Sequence, residues 1–221
     1  MNAREQILSK LNAAPGKNTP PRPTPPPLHE LSWNREKMVA KFTEYITADT
    51  GVLHRVKNFD EALDTLAEVA HSESLKKVAA STDTVLAPLN LKAWGMKHAI
   101  EVVHAADFKT RDDFKSALFN EVQAGITGAD FAIAESGTLC LIHNTHQPRL
   151  ISLAPLLHIV IVPLERLYPI YECAVEKVFE RNSSIPSQVT LITGPSMTAD
   201  IMGVPFKGMH GPKRLVVILV G

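Results

Sequence analysis

Apolar positions in this chain recur at helical spacing in several blocks. From Asn34 the sequence reads REKMVAKFTEYITA, and Met38, Phe42, Tyr45 and Ile46 fall on one side of a predicted helix. A short β segment follows at Val52 to Val56. Phe59-Asp60-Glu61-Ala62-Leu63 then opens a second amphipathic helix, with acidic residues at its positive end and Leu63, Leu66 and Ala70 on one face. Lys77 to Ser81 reads as a strand leading into a polar turn, and Glu101 to Val103 as another. The stretch Leu86 to Trp94 is ambiguous, and Asp112 to Val122 is helical, with Phe114, Leu118 and Val122 four apart. Helices alternating with short β-rich runs predict an α/β domain, a doubly wound or related three-layer open sheet.

The second half changes character. Between Ser136 and Leu164 there is no Asp or Glu, and Arg149 is the one formally charged side chain. Such a run suits central strands covered on both faces. Candidate strands are Phe131 to Ala134, Thr138 to Ile142 and His158 to Val162, the last stopped by Pro163. A helix over Leu167 to Phe179 separates these from a strand at Val189 to Ile192, and a terminal strand runs from Arg214 to Val220. No internal repeat is evident, which argues against a solenoid.

Residues 1–14 suit a short helix with Ile7, Leu8 and Leu11 near one face, too short to be stable unless it packs on something. Residues 15–33 form a proline-rich linker, with seven prolines between Pro15 and Pro27 that exclude helix and impose an extended spacer. Residues 34–221 are then the α/β domain.

Composition narrows the function classes. The 221 residues carry 23 Lys plus Arg against 23 Asp plus Glu, so the footprint of a general nucleic-acid binder is missing. The two cysteines, Cys140 and Cys173, lie in no CxxC and cannot by themselves supply a four-thiolate zinc or iron–sulfur site. No leader pattern and no apolar run of membrane length is evident, so the expectation is a cytoplasmic protein without membrane insertion.

Three motifs carry candidate chemistry. Thr193-Gly194-Pro195-Ser196-Met197-Thr198-Ala199-Asp200 follows an apolar strand. Gly194 and Pro195 supply a turn, and Ser196 or Thr198 can cap a following helix, the strand–turn–helix geometry that binds phosphate or carboxylate. The lysine and glycine spacing of a P-loop is missing. Asp200 either orients that turn or is an acidic residue favoured by the helix dipole. In Lys207-Gly208-Met209-His210-Gly211-Pro212, two glycines and a proline bracket His210 in a loop, where an imidazole can do acid–base work, recognise an anion or bond its own loop. The third motif is ADFAIAESGT at 129–138, where Glu135 can be nucleophile, base or partner to Arg149. Arg149 in its apolar surroundings calls for a carboxylate or a ligand anion, held bidentately. His143 and His146 form an HxxH without further metal ligands at the right spacing, and His158 reads as a strand-end core histidine.

ADFAIAESGTL, then Arg149, Ser152, Pro155 and His158 in RLISLAPLLHIVIV, then TGPSMTADI and GMHGP, together resemble the lactate utilization protein C family, or LUD domain, over roughly residues 35–220. The resemblance implies a fold related to the sugar-phosphate isomerase and CoA-transferase-like superfamily. It also implies a role in L-lactate oxidation to pyruvate beside iron–sulfur oxidoreductase subunits. The clusters are then expected in those partners and no cofactor on this chain. The family patterns land on Glu135, Gly137 and Thr138, and on Gly194, Pro195, Ser196, Thr198, Asp200, His210 and Gly211. Met202 stands where the family pattern ADIE carries its carboxylate, and AESGT replaces AETGT. Three functions are compatible with this: a non-redox subunit binding a small carboxylate or phosphate near Ser196, a stand-alone enzyme on a phosphorylated or acyl-CoA substrate using Glu135, and an assembly protein.

Overall fold

The computed structural model describes residues 2–13, 31–181, 186–199 and 205–221; the proline tract and Asp200 lie outside them. Helix α1 spans Ala3–Asn12, closed by a capping box between Asn2 and Glu5, and none of its residues is buried. Helix α2 spans Arg35–Ala48 and α3 spans Phe59–Ser72, each started by an asparagine whose side chain accepts a first-turn N–H. Helices α4 (Leu91–Lys97), α5 (Arg111–Asn120) and α6 (Tyr171–Arg181) complete the set.

Six parallel strands form the main sheet: β1 (Val52–Val56), β2 (Lys77–Ala80), β3 (Glu101–Val103), β4 (Ala124–Gly128), β7 (Leu157–Pro163) and β12 (Arg214–Val220). Their order is β1-β12-β7-β4-β2-β3. A second, mixed sheet contains β5 (Phe131–Ile133), β6 (Thr138–Ile142), β8 (Leu167–Tyr168) and β9 (Val189–Ile192) in the order β8-β5-β6-β9. Strands β10 (Met197–Ala199) and β11 (Pro205–Lys207) pair antiparallel as a separate ribbon.

Alternation along the main strands sorts side chains onto two faces. One face, with Val78, Ile126, Ile159, Ile161 and Ile218, packs on Leu66 of α3 and Trp94 of α4. The other, with Val160, Val162, Leu215 and Val217, packs on Phe42 and Ile46 of α2 and on Leu139 and Leu141 of the second sheet. Phe114 and Leu118 of α5 cover Ala79 and Val103 near the β3 edge. The result is three layers: helices, parallel sheet, and a mixed layer of helix and sheet. Each fully buried large side chain, such as Phe42 at 0 % exposure, contributes roughly 1.5–3 kcal/mol.

Several expectations change. Phe131 to Ile133 and Thr138 to Ile142 are strands, but of the second sheet, joined antiparallel through the turn at Gly137. Strand β4 was not legible in the pattern. Its Gly125 lies so close to the carbonyl of Ile151 that any Cβ would collide with it, so packing, and not strand propensity, sets that residue. Pro163 does not stop β7 but is its last paired residue, opposite Val220. Leu167 and Tyr168 are strand, and α6 begins only at Tyr171, after Pro169. The ambiguous stretch resolves into a 3₁₀ turn at Ala87–Leu89 and α4.

Candidate functional site

The two C-terminal loop motifs meet. Ser196 donates its backbone N–H to the carbonyl of Pro212 (2.8 Å), and Gly208 N–H donates back to the carbonyl of Ser196 (2.9 Å). Gly211 faces the Ser196 side chain so closely that a Cβ would sit 3.2 Å from Ser196 Cβ. A cavity of about 250 Å³ opens between these loops, lined by Thr193, Gly194, Pro195 and Ser196 on one side and by His210, Gly211 and Pro212 on the other. Its remaining walls come from β9, Ser152, Leu153, Leu215 and His158. Gly194, Pro195, Ser196, His210 and Gly211 therefore line one cavity.

The expected strand–turn–helix is not what holds them. After the turn, Met197–Ala199 is a strand that pairs with Pro205–Lys207, with Thr198 opposite Phe206. Ser196 thus caps no helix, because both of its backbone groups are taken by the His210 loop. Strand β9 lies at the edge of the second sheet and pairs antiparallel with β6, so the turn does not follow a central parallel strand. Among the described residues, hydrogen-bond donors at this site come from loop backbone and side chains, with no helix N-terminus behind them.

Beneath the cavity runs a buried polar layer between the two sheets. His158 is 1 % exposed, and its Nε2 shares a hydrogen bond of 2.8 Å with Thr127 Oγ1. His143 Nε2 meets Thr190 Oγ1 at 2.7 Å, and its Nδ1 lies 3.2 Å from the carbonyl of Gln147. Gln147 in turn donates from Nε2 to the carbonyl of Gly128 (2.7 Å). Burial, and secondarily the neighbouring His143, pushes the His158 pKa down to about 3. Burial also lowers the pKa of His143; its hydrogen bond with the Gln147 carbonyl opposes that shift, and the charge of Arg149 adds to it. Both imidazoles are therefore neutral near pH 7, able to offer one N–H donor and one lone pair each. Thr127 and Gln147 belong to this layer although sequence reasoning missed them; the one available signal was the hydroxyl of Thr127 beside Ile126 in a run of small and apolar residues.

Other candidate residues lie elsewhere. Arg149 is exposed and lines a different cavity together with His143, so it is not a wall of the Ser196 pocket. It does not pair with Glu135, whose Oε1 accepts the N–H of Tyr171 (2.9 Å) at the start of α6. Thr198 sits in the β10–β11 ribbon, outside the cavity wall, and Asp200 falls outside the described residues. His146 turns toward Thr82 (3.2 Å), away from the partners of His143, so the HxxH does not converge. Among the described residues no group of three or more His, Cys, Asp or Glu is placed to hold a metal ion. Cys140 is buried, which raises its pKa and keeps it a thiol. Among the described residues no helix is long and apolar enough to cross a membrane.

The fold is thus that of an α/β protein with a small crevice between a parallel and a mixed sheet. The LUD domain family model matches residues 39–220, and the chain belongs to that family. It is 28% identical over 227 residues to an uncharacterized protein of Neisseria meningitidis, covering 100% of this chain and 94% of that one. It is 29% identical to lactate utilization protein C of Anoxybacillus flavithermus, over 74% of this chain and 71% of the relative. The corresponding protein of Deinococcus radiodurans is 26% identical over 99% of this chain and 96% of its own length. A crystal structure of a DUF162 family protein from Deinococcus radiodurans superposes with a TM-score of 0.58 at 22% identity, covering 86% of this chain and 99% of that one. That likeness supports the fold.

Proposed function

We propose that this chain is a non-redox subunit or accessory protein of L-lactate oxidation to pyruvate, and that it binds a small carboxylate in the cavity between the Ser196 and His210 loops. The observation that carries the reading is the convergence of two loops, one following β9 and one leading into β12, over a buried neutral histidine, His158. The names of several relatives supply the metabolic setting. A carboxylate there would accept from the Ser196 hydroxyl and from His210, while the size of the cavity, about 250 Å³, suits a three-carbon acid. Gly194 and Gly211 would let the loops close tightly, on Asp49 and on Ser196 respectively, Pro195 would stiffen the turn, and Thr198 would act only from the ribbon that follows. Electron transfer would belong to iron–sulfur oxidoreductase partners in the cytoplasm, since two cysteines cannot ligate such a cluster on this chain alone.

The assembly reading draws on one observation: α1 is exposed throughout, with Ile7 at 59 %, Leu8 at 44 % and Leu11 at 66 % exposure. We also propose that the fold belongs with the sugar-phosphate isomerase and CoA-transferase-like superfamily. The stand-alone enzyme that this would permit has less support, because Glu135 spends an oxygen on α6 and is not part of the cavity wall.

The test is anaerobic, lactate-dependent reduction of an artificial acceptor by the candidate iron–sulfur partners, with and without this chain. Loss of rate without it, reproduced by Ser196→Ala and His210→Ala while the complex still assembles, is the expected result. An undiminished rate without it would contradict the proposal.

A further inference from the structure

Arg149 belongs to a second cavity with a chemistry of its own. A groove of about 560 Å³ lies between the segment after β3 and the loop after β6. Lys109, Arg111, Arg149 and His143 all line it, and no Asp or Glu does among the described residues. Arg149, Arg111 and Lys109 are exposed, and none has an ion-pair partner among the described residues. By contrast, Lys92, Lys77 and Arg55 each sit in a described ion pair. Three unmatched cations around one concave surface call for more negative charge than a single carboxylate carries. The floor is apolar: Ala105, Phe108, Pro148 and Leu150. The Phe108 ring is held in place by Phe114, with ring centroids 5.2 Å apart and Phe114 only 5 % exposed. Asn144, Thr145, Ser187 and Gln188 add polar groups at the rim.

We infer that this groove binds a nucleoside phosphate, its phosphates among Lys109, Arg111 and Arg149 and its flat base on the floor that Phe108 and Leu150 provide. The volume of about 560 Å³ lies within the range usual for sites of that size, roughly 300–1,000 Å³. It is also more than twice the Ser196 cavity, at about 250 Å³. The two sites share a wall, since His143 lines the groove while its hydrogen-bond partner Thr190 lines the smaller cavity. This inference does not depend on a carboxylate binding near Ser196.

Calorimetric titration of the full chain with ADP and with inorganic diphosphate tests it. ADP is expected to bind about tenfold more tightly than diphosphate, because it alone uses the apolar floor. Arg149→Ala and Arg111→Ala are each expected to weaken ADP about tenfold through loss of a charge-assisted contact. Ser196→Ala is expected to leave ADP binding in place. Because both arginines are exposed, unchanged thermal midpoints in the variants would show that the fold survives. No ADP binding at millimolar concentration would overturn the inference, as would binding that survives the double arginine variant or disappears with Ser196→Ala. Equal affinity for ADP and diphosphate would also overturn it, by removing the nucleoside from the site.

Discussion

The two sheets of this protein are built to different rules. In the parallel sheet, β4 and β7 are buried at every residue and β12 at all but its first, so each central strand is sealed by layers on both faces. In the mixed sheet, β9 is an edge strand whose Val189 and Leu191 are 44 % and 47 % exposed. Buried strands are concentrated in the first, and of the two loops of the proposed chemistry the Ser196 loop follows β9 of the second while the His210 loop leads into β12 of the first. An edge strand leaves its flanking turn free to be shaped by another loop, here the one carrying His210, which a sealed central strand would not allow. The polar layer of His143, Thr190, Thr127 and His158 lies where the two meet.

Substitutions should separate the two regions by size of effect. Ile159→Ala, at a fully buried position of β7, is expected to lower unfolding free energy by about 4 kcal/mol in urea titration. Leu191→Ala on β9 would have to match that loss to break the contrast. Gly125→Val is expected to cost about 3 kcal/mol, since its Cβ would press on the Ile151 carbonyl and backbone cannot easily move aside.

At the boundary, His158 makes stability depend on pH. Its folded pKa is depressed to about 3, whereas the unfolded imidazole titrates near ~6.5. The unfolded state therefore binds the extra proton, and stability present above about pH 6.5 is lost as pH falls toward the folded value. Between neutrality and about pH 5 the loss from this group should be about 2 kcal/mol. His158→Asn should flatten that part of the stability curve, as denaturation midpoints at the two pH values would show; an unchanged slope would place the proton elsewhere. The smallest effect is expected at the edge itself, where Leu191→Ser should shift stability by under about 0.5 kcal/mol.

The same division explains what could be read from the sequence. Strands β7 and β12 announced themselves because continuous β-branched and leucine runs have few other uses. Helices α2, α3 and α5 were visible through their periodicity, while their caps Asn34, Asn58 and Thr110 emerged with the structure. Strand β4, Ala-Gly-Ile-Thr-Gly, was invisible because its glycine at 125 answers to Ile151, which is remote in sequence. Splitting β5 and β6 from the parallel sheet was equally out of reach, since their alternation fits either sheet and only pairing decides. At the site, Gly194, Pro195, Ser196, His210 and Gly211 stood out as loop residues in two motifs and do line one cavity. The helix expected after Ser196 failed because local capping chemistry was read where a non-local backbone pair with Pro212 and Gly208 holds the turn. Arg149 was legible as an unmatched charge, but its cavity depends on Lys109 and Arg111, which are separated from it in the chain by α5 and three strands.

The most direct test of the Ser196–His210 site follows backbone amide resonances of the full chain during titration with L-lactate and pyruvate. The account predicts shifts concentrated at Thr193, Gly194, Ser196 and Gly211, together with the His158 imidazole, and their loss in a Ser196→Ala, His210→Ala double variant that keeps its folded spectrum. Shifts confined to the turn at Glu135, or no shifts with either acid, would contradict it.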